Sequence, residues 1–159
     1  MLAPTPVAGG LTFTVLSAGL LGDTCGVTPS GAAYCWGGNS DGELGDGTTN
    51  AELVPTPVAG GFTFASVNPG VYHTCGVTLS GAAYCWGSNA FGQLGDGTTT
   101  QRLVPTPVAG GLTFTAVSAG WWHTCGVATG GAAYCWGDNG FLGDGTTTDR
   151  LVPTPVAFP

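Results

Sequence analysis

Residues His73–Thr98 read HTCGVTLSGAAYCWGSNAFGQLGDGT, and related copies of this stretch occur before and after it. Each copy has CGV, a short variable segment and AYCWG, and PTPVA precedes each copy. A unit of about fifty residues that recurs in register indicates several copies of one supersecondary structure, which bury their apolar faces against each other. We therefore expect function to lie in a repeated surface rather than in one deep pocket.

The PTPVA copies divide the chain, taken as one repeat domain over residues 1–159, into three repeats and a remainder. The predicted repeats are residues 4–54, 55–104 and 105–152. A fourth PTPVA leaves residues 153–159 as an extra terminal strand, which needs a partner outside its own repeat.

Short runs of β-branched and aromatic residues between glycines predict an all-β fold. In the second repeat, the predicted strands are roughly Val54–Ala59, Phe62–Val67, Thr74–Thr78 and Ala82–Trp86. Two prolines remove backbone donors from the first of these, which predicts an irregular or edge strand. The last two form a hairpin, because the third residue of the LSG turn is a glycine suited to a left-handed conformation.

This hairpin predicts the disulfides. With residues 79–81 in the turn, Cys75 lies directly opposite Cys85. The same hairpin register in the other repeats gives the pairs Cys25–Cys35 and Cys125–Cys135. Each bridge closes a loop of about ten residues, worth roughly 2 to 3 kcal/mol in the chain-entropy model. Disulfides imply an oxidising compartment, so we expect an extracellular or cell-surface protein; a zinc site is the disfavoured alternative.

Composition excludes several classes of function. The formal charge is −7, lysine is absent and Arg102 and Arg150 are the only strong cations, which argues against a nucleic-acid partner. No apolar run is long enough for membrane insertion, and the opening MLAPTPVAGG lacks the pattern of a signal peptide. No motif for a catalytic nucleophile, a phosphate loop or a zinc protease occurs, so we predict neither an enzyme nor a cofactor.

Other polar residues have structural interpretations. His73 and His123 are expected to be hydrogen-bonded structural side chains. The aspartates of the GDGTT segments are expected to cap turns, with calcium as the weaker alternative in the first repeat, so no metal site is predicted. Arg102 and Arg150 suggest ion pairs between repeats.

The stretch His73–Thr98 resembles the repeat of the regulator of chromosome condensation family, and weaker copies cover nearly the whole chain. The resemblance implies β-propeller blades of four antiparallel strands, usually seven around an axis. Paired cysteines are similar to those of many bacterial members. The first repeat departs from the pattern, because Asp23 replaces the histidine. Relatives include an exchange factor for a small GTPase, inhibitors of β-lactamases and surface proteins, so the resemblance implies no single function.

Aromatic residues supply the candidate binding positions. Trp36, Trp86 and Trp136 share one repeat position, which predicts packing between blades. Trp121 and Trp122 are adjacent, so alternation along a strand sends one of them outward. The candidate binding residues for a protein or carbohydrate are Trp121, Trp122, Tyr72 and Phe91.

Three blades form a partial propeller or an open array, since they are too few to close a ring; the alternative is that the chain is a fragment of a longer propeller. Exposed edges of this kind favour association, so the first hypothesis is a non-catalytic extracellular scaffold that self-associates into an oligomer or filament. The alternatives are a propeller module that binds protein or carbohydrate, and an exchange factor or inhibitor by family analogy.

Overall fold

The computed structural model describes residue 3, residues 5–140 and residues 142–157. These residues form twelve strands in three antiparallel sheets, and each sheet keeps its strands in sequence order. No helix that is long and apolar enough to cross a membrane occurs in this part of the chain. The strands are β1 Val15–Ala18, β2 Thr24–Val27, β3 Ala33–Gly37, β4 Glu52–Pro57, β5 Phe64–Pro69, β6 His73–Thr78, β7 Ala83–Gly87, β8 Arg102–Pro107, β9 Phe114–Ala119, β10 His123–Ala128, β11 Ala133–Gly137 and β12 Arg150–Pro155.

The sheets β1–β4, β5–β8 and β9–β12 stand side by side as blades 1, 2 and 3 of an open arc. The first strands of neighbouring blades contact each other on the inside of the arc, β1 with β5 and β5 with β9. The second strands β2 and β6 contact the first strand of the following blade. Strands β4, β8 and β12, which contain two prolines each, are the outer edges, as their missing donors predict. The predicted all-β fold with three blades of four antiparallel strands is confirmed.

The blades do not follow the frame of the PTPVA copies. Residues 55–57 end the outer strand of blade 1, and residues 153–155 end the outer strand of blade 3. The last copy therefore pairs within its own blade instead of forming an extra strand; residues 158 and 159 of that predicted strand lie outside the described residues. The first PTPVA copy belongs to no sheet: its described residues, 5–8, are exposed and lie outside any strand.

The hairpin register agrees with the prediction. Val77 pairs with Ala83 and Cys75 with Cys85, and Gly81 has a φ of 86°. All three predicted disulfides are present, with Cα atoms 4.1 Å apart in each. Local turn geometry was sufficient to fix the pairing because both cysteines of each bridge lie in one hairpin.

Candidate binding surfaces

Every blade has two chemically different faces, because side chains alternate across a strand. One face, which we call the cystine face, carries the disulfide, a valine and an alanine. The other, which we call the aromatic face, carries a phenylalanine, a tyrosine, a tryptophan and one aliphatic side chain. The cystine face of blade 1 consists of Cys25, Val27, Ala33 and Cys35, with Leu44 from the loop before β4, and the aromatic face of blade 2 consists of Phe64, Val67, Tyr84 and Trp86.

The cystine face of one blade packs against the aromatic face of the next, and the molecule contains this junction twice. Small side chains on the cystine face leave a hollow that the aromatic ridge fills. Trp86 is completely buried at the first junction and Trp136 at the second. The predicted packing role of these two tryptophans is therefore confirmed.

Main-chain contacts fix the register of the junctions. At the first, the backbone carbonyl of Glu43 accepts hydrogen bonds from Thr74 Oγ1 (2.8 Å) and Trp86 Nε1 (2.7 Å). Phe64 N donates to Gly31 O at 2.8 Å, and Gly47 N donates to Leu103 O at 2.9 Å. At the second junction, the equivalent main-chain bonds are Phe114 N to Gly81 O and Gly97 N to Leu151 O, at 2.8 and 2.9 Å.

The two junctions differ in several buried polar groups. Gln93 replaces Glu43 at the second junction, Trp136 Nε1 has no hydrogen-bond partner among the described residues, and His73 replaces Asp23. At the second, His73 Nε2 lies 2.7 Å from Thr124 Oγ1, and that hydroxyl donates to Gln93 O at 2.8 Å. The threonine oxygen is thus the acceptor, so the histidine carries its proton on Nε2. Burial, assisted by His123, lowers the pKa of His73 to about 3 and keeps the ring neutral. The expected structural role of this histidine is confirmed.

Asp23 takes the place of the histidine at the first junction. Its side chain is buried, and neither carboxylate oxygen has a hydrogen-bond partner among the described residues. Burial raises the pKa of Asp23 to about 6, and the charge of Glu43 adds to the increase. The repeat alignment reveals the exchange of histidine for aspartate, but the resulting buried, unpartnered acid was not anticipated from sequence.

The aromatic face of blade 1 is open. Phe13 and Trp36 have ring centroids 5.8 Å apart, which matches the 5.9 Å between Phe64 and Trp86 in the covered face of blade 2. The ridge is therefore formed without a partner. Leu16 is 57% exposed, whereas its counterpart Val67 is 1% exposed.

The outer strand of blade 1 is also uncovered on this side. Leu53 is 94% exposed. Its counterpart in blade 2, Leu103, is covered by Gly42 of blade 1 so closely that an added Cβ would lie 2.5 Å from Leu103 Cδ2. Leu53 thus lies where a loop of a preceding blade would cover it. The repeated LVPTP pattern identifies Leu53 and Leu103 as equivalent positions in the sequence.

The cystine face of blade 3 is open at the other end of the arc. It forms an apolar hollow of about 210 Å³ that includes Ala116, Cys125, Val127 and Ala133 in its lining. Val127 is 42% exposed, whereas its counterpart Val77 is 3% exposed because blade 3 covers it.

Trp121 belongs to this open end. Its counterpart Val71 is 4% exposed and donates its backbone N–H to Gly120 O of blade 3, whereas Trp121 is 60% exposed. The exposed tryptophan therefore stands where a following blade would cover it. Sequence alone predicted that one of the paired tryptophans would point outward, and the structure shows that it is Trp121.

The other three candidate binding residues form one cluster between blades 2 and 3. Trp122 stacks on Tyr72 with ring centroids 4.4 Å apart and meets Phe91 edge-on at 5.3 Å. All three side chains are half-buried. This cluster stabilises the second junction, and any contact with a ligand is still a prediction.

The GDGTT loops have a structural role in the described chain. Asp96 Oδ1 accepts hydrogen bonds from the backbone N–H and the hydroxyl of Thr98, and Arg102 binds the other carboxylate oxygen at 2.8 Å. Blade 3 repeats this with Asp144 and Arg150. Both ion pairs lie within one blade, so the expectation of ion pairs between repeats is wrong. No group of three or more His, Cys, Asp or Glu side chains suited to a metal ion occurs among the described residues.

Comparison with known proteins agrees with this architecture. The regulator of chromosome condensation (RCC1) repeat matches residues 30–77 and 80–127, and a second model of the repeat matches residues 64–93 and 114–141. No curated protein sequence matches the chain.

Solved structures share the fold. Prp20p from Saccharomyces cerevisiae is 21% identical, with a TM-score of 0.81 over 92% of this chain and 38% of that one. Yeast RCC1 (Prp20) bound to Kap60 gives 22% identity and a TM-score of 0.79 over 92% of this chain and 37% of that one. The ectodomain of the Physcomitrella patens receptor kinase CR4 is 27% identical, with a TM-score of 0.56 over 81% of this chain and 30% of that one. The chain thus spans less than two fifths of each of these proteins. With the repeat matched over more than half its length, the chain belongs to the regulator of chromosome condensation repeat family.

Proposed function

We propose that this chain is a non-catalytic extracellular scaffold that self-associates through the open faces of its terminal blades. The observation that carries the proposal is that blade 1 leaves an aromatic face uncovered and blade 3 leaves a cystine face uncovered. These are the two surfaces that bury each other at both internal junctions. Apolar surfaces of this type favour association, because burial removes them from water.

Two further features support the proposal. Three disulfides are compatible with an oxidising, extracellular setting. A relative with this fold binds proteins: Prp20 has been crystallised with Kap60, and its binding to Gsp1p and histones has been described. Protein binding is therefore the general role, and a second copy is the partner we propose.

The test is the mass of chain 1–159 in solution, measured by light scattering from low to high micromolar concentration. We expect a mass that rises with concentration above the 15.7 kDa of one chain. Association should weaken in urea concentrations below those that unfold the blades. A constant mass of one chain throughout would reject self-association.

A protein- or carbohydrate-binding module is the second candidate, because Trp121 is exposed and lies next to the Trp122 cluster. Trp121→Ala separates the two hypotheses. If the side chain is part of the self-association surface, the variant should associate at least about tenfold more weakly, since a buried tryptophan contributes 2 kcal/mol or more at an interface (about 1.4 kcal/mol per tenfold). Unchanged association together with loss of binding to a glycan or protein array would favour the second candidate.

A further inference from the structure

We infer that self-association is head-to-tail: the cystine face of blade 3 in one copy receives the aromatic face of blade 1 in a second copy, in the register of the internal junctions. This inference rests on the proposed function and names the surfaces that meet. It differs from an association in which two copies meet through the same face, aromatic on aromatic or cystine on cystine.

The shapes of the two open faces are complementary. The face of blade 3 is the hollow of about 210 Å³ lined by small apolar side chains. The face of blade 1 is a ridge in which Phe13 lies 5.8 Å from Trp36 and 6.4 Å from Tyr34. The ridge that fills the hollow at the second junction has the same spacings, 5.8 Å from Phe114 to Trp136 and 6.4 Å to Tyr134. The ring spacings therefore already match those of a filled junction, and only the tilt between Phe13 and Trp36 differs, at 38° against 54° for Phe114 and Trp136.

Polar groups on the open faces are also complementary. Phe13 and Gly131 occupy the positions of Phe64 and Gly31, whose N–H and carbonyl bond at the first junction. Leu53 and Gly145 occupy the positions of Leu103 and Gly47, which bond at that same junction.

A side-chain pair adds a third match, whereas the carbonyl contact of Glu43 has no assigned counterpart, because the loop of blade 3 that corresponds to residues 39–44 is two residues shorter in sequence. His123 of blade 3 is exposed and corresponds to His73, whereas Thr24 of blade 1 corresponds to Thr124. Head-to-tail docking brings donor to acceptor in this pair and in both main-chain pairs. A symmetric contact between two aromatic faces would place ridge on ridge, and one between two cystine faces would leave the hollows unfilled.

The experiment uses two full-chain variants, each of which blocks one face. Val127→Glu places a carboxylate in the hollow of blade 3, and Leu16→Glu places one on the ridge of blade 1. Burying an unpaired charge is strongly unfavourable, so each face should lose its partner. We expect each variant alone to be monomeric at concentrations where the parent chain associates. An equimolar mixture should form a one-to-one complex, because one open face of each variant remains intact.

Other results overturn the inference. If Val127→Glu alone still dimerises, aromatic faces pair with each other; if the Leu16→Glu variant does so, cystine faces pair. No complex in the mixture, although the parent chain associates, also rejects head-to-tail docking while the proposed function stands. A monomeric parent chain rejects the proposed function itself.

Matched variants keep the test interpretable. Leu79→Glu, at the exposed tip of the blade 2 hairpin, makes the same change outside both faces and should associate like the parent chain. If either blocking variant fails to fold by circular dichroism, Ser118→Glu replaces Val127→Glu and Leu53→Glu replaces Leu16→Glu. Both replacement positions are exposed, so these variants should fold.

Discussion

Trp86→Ala should lower the free energy of unfolding by about 3 to 5 kcal/mol, whereas the same change at Trp36 should cost far less, about 1 kcal/mol. Trp86 is completely buried between blades 1 and 2, and its indole N–H donates to Glu43 O. Trp36 has the same position in its blade but no blade over it. Urea denaturation at a concentration where the chain is monomeric measures both values.

Trp136→Ala is the matched control for this prediction, because Trp136 is completely buried at the second junction. It should also lose several kcal/mol, on the order of 3, though less than Trp86→Ala, because the indole N–H of Trp136 has no hydrogen-bond partner among the described residues. Equal losses at all three tryptophans would contradict our account, since they would mean that Trp36 is as fully packed as the other two.

Asp23→Asn should stabilise the protein above pH 7, by an amount on the order of 2 kcal/mol. The pKa of Asp23 is raised from its ordinary value of 3.8 to about 6 in the folded chain. The folded state therefore favours the neutral acid, and its contribution to stability is complete below pH 3.8. That contribution is lost as the pH rises through about 6, where the folded protein must bury a charge. Asparagine stays neutral and avoids this loss.

The measurement is the unfolding free energy of both chains between pH 4 and pH 8. The difference between them should be small at pH 4 and should grow through pH 6. Burial also raises the pKa of Glu43, and its charge acts on Asp23. Asp23→Asn removes this repulsion as well, which adds to the difference at high pH in the same direction. A pH-independent difference between Asp23→Asn and the parent would contradict the buried charge.

Asp23→His tests the same position with a side chain that can form a hydrogen bond across the junction. It restores the residue found at the second junction, where His73 bonds to Thr124. In this variant Thr74 would be the acceptor, since its hydroxyl already donates to Glu43 O. We expect stability at pH 8 at least equal to that of Asp23→Asn.

The local structure could be predicted from sequence because its determinants are adjacent in the chain. A three-residue turn ending in Gly81 sets the register of its hairpin, and that register places Cys75 against Cys85. Proline in the outer strand excludes it from the centre of a sheet. Each of these inferences needs only one repeat.

The boundaries of the blades and the open surfaces could not be predicted in this way. A repeating sequence can be divided at any point, so it does not show whether PTPVA begins one blade or ends another. Exposure depends on neighbours: Val71 and Trp121 share a repeat position, but only Val71 has a blade over it. The three-dimensional order of the blades was needed to recognise Trp121 and Leu53 as parts of incomplete junctions.

Hydrogen–deuterium exchange of the full chain at increasing concentration tests the central claim most directly, because it locates the surfaces that become covered. We predict slower exchange in peptides that contain residues 13–18 and 123–128, where the open faces lie. Peptides with residues 5–10 and 79–81, which belong to neither face, should exchange at a constant rate. Concentration-independent exchange at both faces would contradict the claim that blades 1 and 3 complete each other between copies.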